Sequence, residues 1–174
     1  MNGNKQAKLI ETFVEKLADL DPGERARFKR NAGNLPQESN RVMGLFYNKV
    51  LPYGVGEWAE DWYFLVATLY PLEKVDKEQA VGPLRPSLGG TLRQVRTEKN
   101  GPGLDRRVER LLDADEQQLP FQLRQAVHFL TSNGGRVHWG NLLKDVLNWS
   151  HPERWVQKKW AKHYFVAERV IESN

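Results

Sequence analysis

The side chains whose types and spacing could carry chemistry in this sequence are basic: solvation is the usual fate of such charged positions, and the chemistry they would offer is neutralisation of phosphate. Between Arg85 and Arg110 stand seven basic residues against three acidic ones, Glu98, Asp105 and Glu109. The planar guanidinium donates in a fixed fork that fits two phosphate oxygens, whereas lysine acts as a mobile point charge. Each neutralised phosphate releases condensed counterions, so the binding on offer is independent of base sequence and steep in salt. No helix-turn-helix, zinc-finger, ribonucleoprotein-motif or KH pattern supplies base readout.

Other chemistry finds little support. His128, His138, His151 and His163 never fall at a spacing that puts two imidazoles on one helix face toward a metal. Glu57, Glu60 and Asp61 cluster at an expected helix start, where carboxylates favour the positive end of the macrodipole. Gly54-Val55-Gly56 lacks the third glycine and preceding strand of a dinucleotide fingerprint, and no Walker A or nucleophile-elbow motif occurs. Cysteine is absent, which removes thiolate sites and thiol catalysis. The chain is therefore expected not to be an enzyme and to need no cofactor.

The elements that must position the cations read as helices. Leu9, Ile10, Phe13, Val14 and Leu17 form one apolar stripe over Lys5 to Leu20. Asp21-Pro22 with Glu24 is a helix-start signal for a short helix carrying Arg25, Arg27, Lys29 and Arg30, and Gly33 is its stop. Asn40 to Leu51 reads as a third helix. Glu57 to Leu72 reads as the centre of an N-terminal core, with Trp58, Trp62, Leu65, Val66 and Leu69 inward. Lys74 to Pro86 reads as a loop. Helices follow over Ser87–Arg96, after Gly103, around Leu123–Leu130 and around Leu142–Leu147. Ser150 and Glu153 read as a capping box opening a terminal helix to about Ile171, with Val156, Trp160, Tyr164, Ala167 and Ile171 inward.

No convincing period-2 strand appears, so the expected class is all-α, two small helical bundles with about eight or nine helices and no sheet. The break at Asn100-Gly-Pro-Gly103 puts the expected boundary between 1–99 and 100–174. At about 100° per residue the terminal helix turns Arg154, Lys158, Lys162 and Arg169 outward with Phe165 among them. Arg93, Arg106 and Arg110 also face outward, and Arg107 lies at the edge of its apolar stripe. The 26 Lys and Arg against 22 Asp and Glu make only a modest excess, so distribution matters more than total. No stretch has the roughly 18 apolar residues of a membrane span, and a cytoplasmic protein is expected.

Several segments together resemble the CasB family, the small subunit of the type I-E CRISPR surveillance complex, Cascade. They are Arg25-Ala-Arg-Phe-Lys-Arg30, Phe64 to Tyr70, Ser87-Leu-Gly-Gly-Thr-Leu-Arg93, Leu104-Asp-Arg-Arg107, Leu119 to Leu130, Val137 through Trp149, and Val156-Gln-Lys-Lys-Trp-Ala161. The resemblance runs from about residue 20 to 167. It implies a non-catalytic protein of two helical bundles, present in two copies beside other Cascade subunits. It also implies contact with guide RNA and target DNA, whether displaced or target strand, and a part in holding the opened R-loop during antiviral defence. Family basic positions correspond to Lys29, Arg30, Arg107, Arg124 and Lys144. Where some relatives place arginine directly after Ser-Leu-Gly this sequence has Gly90, with Arg93 one turn on. The expected nucleic-acid contacts are thus Arg27, Lys29, Arg30, Arg93, Arg106, Arg107, Arg110, Arg124, Lys144, Arg154, Lys158 and Lys162; Trp155 and Phe165 are expected to pack against a neighbouring subunit, with stacking on bases as the alternative. The alternative is a protein adaptor whose arginines pair with acidic faces of neighbouring subunits.

Overall fold

The computed structural model describes residues 2–74 and 82–166, and every described element is helical. The chain divides into two compact units, residues 1–72 and 73–174.

In the first unit, α1 (Asn2–Ala18) buries Ile10, Phe13 and Leu17 of the expected stripe, with Leu9 and Val14 half-buried at its edges. The helix α2 (Pro22–Lys29) opens on the expected capping box: Glu24 N–H donates to Asp21 Oδ1 at 2.8 Å, and Asp21 N–H donates to Glu24 Oε1 at 3.2 Å. Gly33, with φ of 85°, turns the chain after it, using the left-handed region that glycine enters without a Cβ clash. The expected helix Asn40–Leu51 is instead a single turn, α3 (Met43–Leu45), widening into a π-helix over Phe46–Val50. The wider winding leaves Phe46 and Val50 buried and Tyr47 exposed. Next, α4 (Glu57–Leu69) carries Phe64 edge-on to Phe46 at 5.1 Å and Tyr63 edge-on to Phe13 at 4.9 Å. Leu65, Val66 and Leu69 are buried as expected, but Trp58 is 68% exposed. It shares the side of α4 that carries Leu65 and Leu69 but stands in the first turn, ahead of the buried run 63–69, and Trp62, also expected inward, is half-buried.

The second unit holds α5 (Leu88–Gln94), α6 (Gly101–Asp113), α7 (Leu119–Ser132), α8 (Trp139–Leu147) and α9 (Trp155–Phe165). The expected boundary at 99/100 falls inside it. The glycines and proline there open α6 rather than separating domains: Pro102 lies in its first turn, where a missing N–H costs nothing. Leu88 and Leu92 of α5 are buried, and α5 packs on α9. A Cβ on Gly89 would stand 2.2 Å from the carbonyl oxygen of Trp160, so only glycine admits this crossing.

Two carboxylates tie these helices together. Asp145 of α8 is buried and accepts from Lys159 Nζ at 2.6 Å and Trp160 Nε1 at 2.8 Å, both on α9. Asp105 of α6 accepts a two-pronged pair from Arg96 at 2.9 Å each and the Tyr164 hydroxyl at 2.6 Å. The Arg96 hydrogen bonds, with help from Tyr164, hold its carboxyl down at about 2.

The expected capping box at Ser150 and Glu153 does not form. Ser150 instead hydrogen-bonds Glu116, and Glu153 N–H donates to His151 Nδ1. The cap of α9 is Arg154 in the left-handed conformation, φ 50°, with no side-chain cap bond. Ala167, Arg169 and Ile171 of the expected longer helix, and residues 75–81 of the expected loop, lie outside the described residues.

Candidate nucleic-acid interface

The expected basic residues fall into two kinds. Arg27 and Arg154 hold backbone: Arg27 donates from Nε at 3.0 Å and Nη2 at 2.5 Å to the carbonyl of Arg41, and Arg154 Nη2 donates to Leu112 O at 2.6 Å. Arg41 itself sits at φ 58°, so the Arg27 fork secures a strained turn. Arg154 serves the open C-terminal carbonyls of α6, where a cation also meets the negative end of the helix dipole. Arg93 is half-buried, and its charge reaches Asp105. Lys29, Arg30, Arg106, Arg107, Arg110, Arg124, Lys144, Lys158 and Lys162 are all exposed.

Among these, Arg107 lies over the Phe129 ring of α7 with its guanidinium carbon 5.4 Å from the centroid, which fits its place at the edge of the α6 stripe. That contact holds the exposed side chain by cation–π attraction, which does not use up its N–H donors. No hydrogen bond or ion pair within the described residues engages the side chains of the other eight.

Helical geometry brings some of them together. Arg106 and Arg110 are one turn apart on the outer face of α6. Lys158 and Lys162 are one turn apart on the outer face of α9, with Phe165 at its edge, exposed and edge-on to Tyr164 at 4.7 Å. Arg124 and Lys144 stand on α7 and α8, each away from its helix's buried face. Lys29 and Arg30 close α2 in the first unit. Trp155 is half-buried beneath Lys159, whose Nζ lies 5.1 Å from its ring.

Sequence reasoning missed Arg96 and Lys159, the two cations that clamp Asp105 and Asp145. Their signal was weak, since each stands half-buried at a stripe edge. It missed, too, a groove of about 820 Å³ between the end of α6 and the start of α9, lined by Asp113, Asp115, Glu116, Trp149, Arg154 and Gln157. Three carboxylates against one arginine make that groove repel phosphate, so it is no part of a phosphate-binding surface.

Among the described residues no three His, Asp or Glu side chains gather as a metal site. His163 Nδ1 shares a 2.6 Å hydrogen bond with Ser87, the cap of α5, and burial with nearby Lys159 lowers its pKa. His138 Nδ1 accepts from Asn141 N–H and caps α8. No described helix is long and apolar enough to cross a membrane.

The family model of CRISPR-associated protein Cse2 matches residues 24–165. The CRISPR-associated protein Cse2 of Thermus thermophilus is 34% identical over 131 residues, 70% of each chain. The crystal structure of M. ruber CasB superposes with a TM-score of 0.73 at 27% identity, covering 95% of this chain and 98% of that one. The crystal structure of a Cse2-family protein from Thermus thermophilus gives 0.70 at 30% identity, covering 90% and 97%. A chain of a CRISPR RNA-guided surveillance complex shares the fold, with a TM-score of 0.79 at 22% identity over 97% and 98%.

Proposed function

We propose, because the chain belongs to the Cse2 family of CRISPR-associated proteins, that it is the non-catalytic small subunit of a type I-E Cascade complex. In this reading it sits beside other Cascade subunits and a second copy of itself, and grips nucleic-acid backbone without reading sequence. The supporting observation is the separation of the basic residues into structural and unengaged sets. Arg27, Arg96, Arg154 and Lys159 hold carbonyls or carboxylates, while Arg106, Arg110, Lys158 and Lys162 stand in pairs on outer helix faces. Opening DNA against a guide is a nearly balanced exchange of duplex for heteroduplex, so a few backbone contacts are enough to tip it. Arg107, pre-oriented by Phe129, loses less freedom on contact than a free arginine.

The test is titration of the purified chain into labelled single-stranded DNAs of unrelated sequence at several salt concentrations, repeated with Lys29, Arg30, Arg106, Arg107, Arg110, Lys144, Lys158 and Lys162 changed to alanine. The expected result is affinity indifferent to sequence, with a log–log salt slope that the variant flattens by about 0.7 per lost contact. Unchanged affinity and slope in the variant would sink the reading and favour the protein adaptor.

A further inference from the structure

The first unit has a face of opposite character to the basic surfaces. From Val50 to Glu73 the sequence has no Lys, Arg or His, in a chain with 26 Lys and Arg, yet it has Glu57, Glu60 and Asp61 close together. The large apolar side chains exposed in the described part of this unit are Met43, Tyr47, Tyr53 and Trp58, all within this stretch or just before it. Single exposed apolar residues are ordinary, but a concentration of aromatics in one stretch marks a contact surface.

The geometry around Trp58 is specific. Its Cδ1 and Nε1 lie 2.9 Å from where a Cβ on Gly56 would stand, so the indole is folded back against the loop backbone and held there. Asp61 is one turn on from both Glu57 and Trp58, which sets two carboxylates beside the indole. Tyr47 donates its hydroxyl to Glu60 at 2.8 Å, fixing a second ring against α4. Lys49, the nearest cation in sequence, is paired with Glu24 at 2.7 Å.

An exposed, pre-positioned indole flanked by carboxylates that have no basic partner among the described residues is the complement of a guanidinium, which stacks on aromatic faces and forks to carboxylates. Phosphate, of nucleic acid or lipid, is repelled. We propose that the start of α4 is a protein-docking surface for an arginine-bearing segment of another polypeptide, its guanidinium lying on Trp58 and pairing with Asp61 and Glu57. This goes beyond the nucleic-acid reading and does not depend on it.

The probe is a fluorescein-labelled peptide of alternating Arg and Gly, titrated at low salt against the full chain, Trp58→Ala, Glu57→Gln/Asp61→Asn, and a control with Asp113→Asn, Asp115→Asn and Glu116→Gln in the second unit. Single-stranded DNA affinity and sedimentation are measured on the same proteins, with circular dichroism as the check of folding. The expected result is binding weakened about three- to fivefold in each of the first two variants, unchanged in the control, with DNA affinity not reduced. No binding to the parent chain, a loss in only one of the two variants, or an equal loss in the control overturns the proposal. So does self-association that Trp58→Ala abolishes, which would make a second copy the occupant. Failure of the chain to bind DNA would count against the backbone-gripping function and leave the peptide result standing.

Discussion

Asp105 and Asp145 do at residue scale what no charge count conveys, since each converts arginine, lysine or aromatic N–H and O–H donors into helix–helix connections. A carboxyl held at about 2 in the folded chain against 3.8 otherwise adds stability above about pH 4. That stability is lost as pH falls toward 2, because the unfolded chain takes up the proton first. Asp105→Asn should therefore lower Tm at pH 6, and the difference from the parent should shrink as the pH approaches 2; thermal melts from pH 6 to 2 check it. Asp145→Ala removes a buried acceptor from Lys159 and Trp160. With Trp160 buried and its indole N–H then unsatisfied, the expected cost is about 2 kcal/mol, read by urea denaturation. Neither carboxylate stood out in the sequence. Arg96 and Asp105 lie nine residues apart across a turn, and nothing in their spacing distinguishes a clamp from solvated charges.

At the scale of elements, the apolar stripes were legible because period 3.6 is imposed by burial itself: Phe13 and Leu17, Leu104 and Val108, Leu123 and Val127 are all inside. Caps were legible only where the signal was local. At Asp21 the box closes within four residues and formed. At Ser150 the same pattern was overruled by Glu116, which is remote in sequence and takes the serine hydroxyl. Trp58 satisfied the stripe of α4 yet points out, since the first turn of a helix can lie beyond the layer it packs on. The α5–α9 crossing is likewise invisible in sequence, because its determinant is a side chain that is missing. Gly89→Ala should force α5 off the Trp160 carbonyl and cost about 1–3 kcal/mol despite alanine's better helix propensity. Gly90→Ala is the control: a Cβ there meets nothing closer than 3.5 Å, and stability should be unchanged or slightly raised. Urea unfolding of the two variants separates packing from propensity.

On the scale of the whole molecule, unengaged cations occur in both units, Lys29 and Arg30 in the first and the α6 and α9 pairs in the second. If one strand runs along both, its phosphate contacts are separate electrostatic terms, and counterion release adds across them. Lys29→Ala/Arg30→Ala should then flatten the single-strand salt slope by up to about 1.4, and the four alanines at Arg106, Arg110, Lys158 and Lys162 by up to about 2.8. The six-residue variant should show the sum, because sites without shared partners combine additively. A slope that responds to the second-unit set alone would confine the strand to that unit and return Lys29 and Arg30 to solvation. Measuring all three variants with the same strand at four salt concentrations separates these cases without reference to how the two units are arranged.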